Sequence, residues 1–266
     1  MPLSPLLDNY DHVVLDLDGC VWIGDACTRE APQAISELRG ARKELMFLTN
    51  DARHSPEEYV RKLWSLGVRA SLEEVVTVGS AIQFALAQRA PGRGAYVIGA
   101  PAVFRHVAES GHRVLNGTEL AAQADVVVLA EHDELRFTDL RAAIQAVLGG
   151  AEMLATARDR TFPTGDGLAP GTGALVAAIE YATNRTARIV GKPDPQIFRT
   201  ALDRLGPGST LVVGDRLDSD LGGAAAAGLD AAIVLTGVTS RADAEAAEDP
   251  APVAIAEDLH ALVVGT

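Results

Sequence analysis

Asp16 and Asp18 interrupt the end of an apolar run, "HVVLDLDGC", and Gly19 follows at once. Residues two apart on a strand project to the same side, so both carboxylates can enter one crevice. A glycine after them lets the backbone turn tightly and offer N–H groups to an anion. Asp-Gly alone is ordinary turn chemistry. That explains Asp18 but leaves Asp16 on an apolar strand, where an unpaired carboxylate is costly. "VVGDRLDSD" repeats the theme, with Asp215, Asp218 and Asp220 following an apolar strand and a glycine. Helix capping could use one of these acids but not three. Two carboxylates about 4 Å apart repel by roughly 4 kcal/mol at an effective dielectric of 20. A crevice holding Asp16, Asp18 and Asp215 therefore calls for a cation. Oxygen ligands without histidine or cysteine favour a hard ion, magnesium where a phosphate is also bound.

Two further stretches bear on a phosphate. "FLTND" ends an apolar run in Thr49 and Asn50, whose hydroxyl and neighbouring N–H groups suit a phosphate oxygen, although a plain turn would look the same. "IVGKPDP" sets Lys192 between a glycine and a proline. A lysine is ordinarily a solvated surface charge; rigid surroundings and acidic partners favour a fixed crevice cation.

The elements that must position these residues alternate. "HVVLDLD", "ELMFLTN", "VVTV", "AYVIG", "DVVVLAE", "EMLATA", "ARIVG", "TLVVGD" and "AAIVLT" read as strands, most of them apolar on both faces. Helical periods fall near residues 31–40, 55–66, 79–89, 101–110, 136–148, 172–184, 194–205 and 217–227. Ser55, Pro56 and Glu58 mark the start of the second helix, and Val60, Leu63 and Trp64 give its apolar stripe. The alternation predicts an α/β fold, a doubly wound, mostly parallel sheet. Its ligand crevice would lie beyond the carboxyl ends of the strands, where Asp16, Thr49, Lys192 and Asp215 all fall. The polar strand ends resume only after a stretch with strands and helices of its own. The expected organisation is therefore a core of residues 1–77 and 188–266 with an inserted α/β domain at 78–187.

Composition narrows the classes. The chain has 266 residues, is 48% apolar and carries a formal charge of −13, which argues against disorder and against nucleic acid or an anionic membrane as partner. No signal-peptide pattern opens it and no apolar run is long enough to span a bilayer, so it reads as cytoplasmic. Cys20 and Cys27 lack metal-site spacing, and a disulfide between them is not expected. Glu131 and Asp133 imitate the opening acid pair without a supporting glycine or lysine and read as a surface strand exit. "GTGALV" lacks the third glycine of a dinucleotide fingerprint.

Asp16-x-Asp18-Gly19, the strand-end Thr49, Lys192 and "GDRLDSD", in this order, resemble the four motifs of the haloacid dehalogenase superfamily. "VWIGD", "LTN", "PGTGALVAAIE" and "VGKPDPQIF" are similar to its nitrophenylphosphatase-like branch (class IIA), which carries a large α/β cap between the second and third motifs. The resemblance implies a phosphatase acting on a small phosphorylated metabolite. Asp16 would be the nucleophile that forms an aspartyl-phosphate, and Asp18 the general acid and base. Magnesium would bind Asp16, Asp215 and the main-chain carbonyl of Asp18. Gly19, Thr49, Asn50 and Lys192 would hold the phosphoryl group, with Asp220 orienting Lys192 or a metal-bound water. A halide leaving group needs no proton, so Asp18 points away from a dehalogenase. The cap would close over the substrate, with Arg158, Arg160 and Asp166 as residues that read it, and the resemblance allows a homodimer through the caps.

The chain departs from the pattern at Cys20, expected to be a small buried filler, and at Asp51, which adds negative charge near the phosphate site. "LATARD" and "AEHDE" in the cap also differ, and they bear on substrate identity. Two other readings use the same acids: a phosphomutase that returns the phosphoryl group to another hydroxyl, and a non-catalytic module that accepts phosphate or binds a metabolite.

Overall fold

The computed structural model describes residues 3–132, 134–164 and 167–265, with side chains of 162–168 left aside. Asp133 and Asp166, two residues singled out from the sequence, lie outside the described residues. The chain divides into two compact units: residues 1–49, 56–76 and 192–266 form the first, and 50–55 with 77–191 the second.

The first unit is built on a six-stranded sheet in the order Ala254–Ala256, Asp230–Val234, Thr210–Gly214, His12–Asp16, Glu44–Thr49, Val75–Thr77. His12–Asp16 pairs in parallel with both Thr210–Gly214 and Glu44–Thr49, and the strands beyond Thr210–Gly214 continue in parallel. The chain winds outward from His12–Asp16 in one direction and later returns to wind in the other. This first strand therefore sits where the strand order reverses, the place where open α/β sheets hold ligands. All five of its residues are buried, as expected of a central strand covered on both faces.

Alternation along these strands divides their side chains between the faces. Val13, Leu15, Leu45, Phe47, Leu211 and Val213 join Ile35, Leu38, Leu63, Leu259 and Leu262 in one apolar cluster. Val14, Met46 and Val212 are also buried, and helix Pro195–Leu205 packs against Glu44–Thr49. That helix is well specified locally. The Asp194 carboxylate accepts the Gln196 N–H at 2.8 Å, Pro195 opens the first turn, and Ile197, Phe198 and Ala201 form its buried stripe.

The second unit has its own five-stranded sheet, in the order Arg188–Ile189, Glu152–Ala155, Val126–Leu129, Gly94–Ile98, Arg113–Val114, every pairing parallel. Helices Phe137–Leu148 and Thr172–Thr183 bury Ala143, Val147, Leu175, Val176 and Ile179 against it. An antiparallel hairpin, Thr161–Thr164 with Gly167–Pro170, precedes the second of these helices. Among the described residues no helix is long and apolar enough to cross a membrane.

Two details differ from the sequence reading. The strand before Lys192, Arg188–Ile189, pairs with Glu152–Ala155 in the second sheet and does not join the strands that carry Asp16, Thr49 and Asp215. Helix Pro56–Ser65 buries Tyr59 and Leu63, whereas Trp64 is 62% exposed. The cause is tertiary: the Tyr59 ring stacks in parallel on Trp22, with centroids 6.2 Å apart, and this contact sets which side of the helix turns inward.

Candidate active site

Parallel pairing places Asp16 opposite Leu48, so Thr49 stands one residue further along the neighbouring strand; Leu15 faces Val213, two residues before Asp215. Asp16, Thr49 and Asp215 thus share one end of the sheet and are all buried. Lys192 reaches the same place from the start of the chain's last segment. Its Nζ donates to Asp16 Oδ1 at 2.5 Å and to Asp220 Oδ1 at 2.7 Å, and its side chain is 3% exposed. Lys192 is thus a fixed, buried cation, although no strand of the first sheet delivers it.

The acidic motif divides its three carboxylates between different tasks. Leu217–Leu221 forms a wide, π-type helical turn that brings Asp220 inward and leaves Asp218 outside beside Arg216. Both Asp220 oxygens are engaged, Oδ1 by Lys192 and Oδ2 by the Arg216 N–H at 3.1 Å. Asp215 accepts the Val238 N–H at 2.7 Å on Oδ2, while its buried Oδ1 has no hydrogen-bond partner. Asp16, Asp215 and Asp220 each bring a carboxylate oxygen within 4.8 Å of the others. With one ammonium against three carboxylates, the cluster has room for two more positive charges. An oxygen-only donor set with one buried oxygen unpartnered suits a hard divalent cation.

The electrostatics express the same excess. Burial pushes the Asp16 carboxyl well above the usual carboxylate range; Lys192 opposes this, while Asp220 and Asp215 add to it. Asp215 is pushed up to about 7, chiefly by burial and then by Asp220. Burial pulls the Lys192 ammonium down, but Asp16 and Asp220 more than reverse this and raise it, so it is a permanent cation. Cys20 is a buried filler whose thiol is raised first by burial and then by the same acids, and both cysteines are free.

Gly19 plays a different part from the one its sequence suggested. Its N–H is donated to the Trp22 carbonyl at 2.7 Å, within the loop. It has a φ of +87°, and a Cβ there would lie 2.6 Å from the Asp215 carboxyl carbon. Its contribution is close approach. Gly237 is a residue that the sequence reading missed: a Cβ on it would overlap the Asp215 carboxylate. Its only sequence signal was a glycine shortly after the apolar strand Asp230–Val234. Asp18 is half-buried, and its Oδ1 accepts the Trp22 indole N–H at 2.8 Å.

The remaining expected residues lie in the second unit. Asn50 follows Thr49 in the chain, and its Oδ1 crowds the position a Cβ on Gly191 would take. Arg53 neutralises Asp51 through its Nε and Nη2, each at 3.0 Å, and also meets Glu131 at 3.3 Å. Arg158 is bound through two nitrogens by Glu180, at 2.6 and 2.9 Å, so a substrate anion would have to compete with that carboxylate. Arg160 is exposed.

Comparison with known proteins gives this arrangement a class. A family model described as haloacid dehalogenase-like hydrolase matches residues 13–113, and a second model of the same kind matches 189–262. D-glycerol 3-phosphate phosphatase of Mycobacterium tuberculosis is 38% identical over 98% of this chain and 73% of its own length. Acid sugar phosphatase of Staphylococcus saprophyticus is 29% identical over 97% of this chain and 98% of its own. The crystal structure of the M. tuberculosis glycerol phosphate phosphatase in complex with magnesium superposes with a TM-score of 0.89, covering 98% of this chain and 78% of that one. The chain belongs to the haloacid dehalogenase-like hydrolases. Within them it is an enzyme of the phosphatase kind that these relatives represent.

Proposed function

We propose that this phosphatase hydrolyses small phosphomonoesters through an aspartyl-phosphate on Asp16, with magnesium as cofactor. The observation that carries the reading is the buried group of Asp16, Asp215, Asp220 and Lys192, charge-deficient by two and with Asp215 Oδ1 unpartnered. The Asp16 and Asp215 carboxylates and the Asp18 main-chain carbonyl would hold the ion. When bound, it would neutralise phosphoryl oxygens and lower the repulsion that a substrate dianion meets among these acids.

The chain's own residues supply the rest. Asp16 attacks phosphorus, and the Lys192 ammonium at its Oδ1 opposes protonation of the carboxylate and aims it. Asp18 gives a proton to the leaving alkoxide and later takes one from the water that cleaves the acyl phosphate. Thr49 and Lys192 bind the transferring phosphoryl oxygens. Gly19 and Gly237 allow Asp215 its close position. Asp220, which accepts from Lys192 and from the Arg216 N–H, orients Lys192. Relatives named for glycerol phosphate and for acid sugars favour a small polyol or sugar phosphate as substrate.

The test is phosphate release across glycerol phosphate, phosphoglycolate, pyridoxal phosphate, sugar phosphates and nucleotides, with and without chelator, for the wild-type protein and Asp16→Asn. The expected result is metal-dependent multiple turnover that Asp16→Asn abolishes while remaining folded. Sustained turnover by Asp16→Asn, or full activity in metal-free buffer, overturns the reading; an isomerised sugar phosphate in place of inorganic phosphate replaces hydrolysis with a mutase.

A further inference from the structure

Asp18 is held by a residue that the reaction as described does not use. After Asp18 the chain folds back on itself: the Val21 and Trp22 N–H groups donate to the Leu17 carbonyl at 2.8 and 3.1 Å, and Gly19 N–H donates to the Trp22 carbonyl. The indole of Trp22 is fully buried, and its Nε1 donates to Asp18 Oδ1 at 2.8 Å. Two residues of helix Pro56–Ser65 fix the ring. Tyr59 stacks on it with planes 3° apart, and Lys62 Nζ sits 4.5 Å from its centroid while donating to the Gly24 carbonyl at 2.8 Å. The indole therefore cannot swing away, and its buried N–H would lose its partner if Asp18 did.

We infer that Trp22 is the positioning residue for the general acid: by occupying Oδ1 it directs the transferable proton to Asp18 Oδ2. An indole N–H can only donate, so the oxygen that faces it must accept and cannot send a proton along that line. The inference rests on the acid role proposed for Asp18. As the bond from Asp16 oxygen to phosphorus forms and the bond from phosphorus to the leaving oxygen breaks, the Oδ2 proton passes to the leaving oxygen. Asp18 is left as a carboxylate whose Oδ1 is already hydrogen-bonded. In the second half-reaction Oδ2 takes a proton from water as the acyl phosphate is cleaved. Trp22 exchanges no proton in either half and fixes which oxygen does.

The readout that separates positioning from packing is the dependence on leaving group. An alkoxide needs the proton, and p-nitrophenolate departs without it. kcat/KM isolates this first half-reaction, because it excludes steps after the leaving group departs. For Trp22→Phe, kcat/KM with glycerol 3-phosphate is expected to fall about tenfold or more, a part of the 10²–10⁴ that a general acid supplies. With p-nitrophenyl phosphate it is expected to fall less than about threefold, since little acid assistance is at stake. In case the smaller ring loosens the core, a second variant keeps the shape: in a Trp64→Phe background, Trp22 is replaced by benzothienylalanine, which has sulfur in place of the N–H. The same split is expected. An equal loss on both substrates, or no loss, in the folded sulfur variant overturns the inference. Asp18→Asn, measured on the same pair, separates the two levels. If it retains the alkyl-ester rate, the acid role itself fails. If it loses that rate while both Trp22 variants keep theirs, only the positioning fails.

Discussion

Lys192→Met deletes one ammonium from the centre of the site and keeps most of the side chain's length and apolar stem. The Nζ lies 2.5 Å from Asp16 Oδ1 and 2.7 Å from Asp220 Oδ1, with the three side chains 3%, 8% and 1% exposed. At an effective dielectric of 20, each such contact is worth roughly 6 kcal/mol of gross attraction. Most of that offsets the desolvation of the ions. Breaking a buried pair from one side typically costs about 3–5 kcal/mol, because the stranded charge has no solvent to return to. Here two carboxylates are stranded and a third, Asp215, faces them, so the loss should fall in that range. Asp220→Asn in the same chain removes one stranded charge while keeping the shape that accepts the Arg216 N–H. It should restore about 1–2 kcal/mol, within the coupling usual for contacting residues. The assay is urea unfolding in EDTA, followed by tryptophan fluorescence. Both tryptophans, Trp22 and Trp64, belong to the first unit, so the signal reports the unit that holds the site. A loss below about 1 kcal/mol for Lys192→Met, or strict additivity with Asp220→Asn, would refute the argument that the ammonium is what makes this acidic cluster tolerable.

Gly237→Ala places a methyl against the Asp215 carboxylate, and overpacking of this kind costs about 1–3 kcal/mol; magnesium affinity measured by calorimetry should weaken about tenfold, and an unchanged affinity would show that the carboxylate has room to move. Magnesium should raise the unfolding free energy by about 2.7 kcal/mol at a hundred times its Kd, and Asp215→Asn should lose that increment; an equal gain in the variant would remove Asp215 from the ligand set. Arg158→Ala should cost no more than about 1 kcal/mol, since its pair with Glu180 is partly exposed, at 45% and 21%, and a KM increase above about tenfold without loss of stability would instead assign Arg158 to the substrate. The hydrogen-bonded guanidinium of Arg158 holds Glu180 below its ordinary 4.5. A depressed acid stabilises above its unfolded pKa, and that contribution is lost as pH falls through the folded value. Glu180→Gln should therefore flatten the decline of thermal stability below about pH 4.5, and a decline as steep as the wild type's would show the pair to be without consequence.

Much of this architecture was legible because parallel strands buried on both faces leave continuous apolar runs, as in "HVVLD" and "TLVVG", and because polar residues at their ends stand out against them. Ala254–Ala256 escaped notice because it is three residues long and only half-buried, and the two-residue strands of the loop after Gly19 are too short to show a period. Helical spacing cannot tell which of two aromatics five residues apart, Tyr59 or Trp64, will turn inward; the stack on Trp22, thirty-seven residues before Tyr59, distinguishes them. The same limit governs the site. Residue types and spacing identified a group of acids and a lysine, and with them the chemistry of a phosphate ester. They could not divide the labour among identical side chains, because what an aspartate can do depends on which of its oxygens is already occupied. Asp220 accepts on both oxygens, from Lys192 and the Arg216 N–H, an arrangement that suits orienting the lysine. Asp215 has one held by Val238 and one buried without a partner, the condition of a ligand awaiting its ion. Asp18 has Oδ1 bound to an indole that can only donate, which in the acid role proposed for it would direct the proton to the other oxygen. Each of these partners is a neighbour created by folding, and roles among chemically equal residues are settled there.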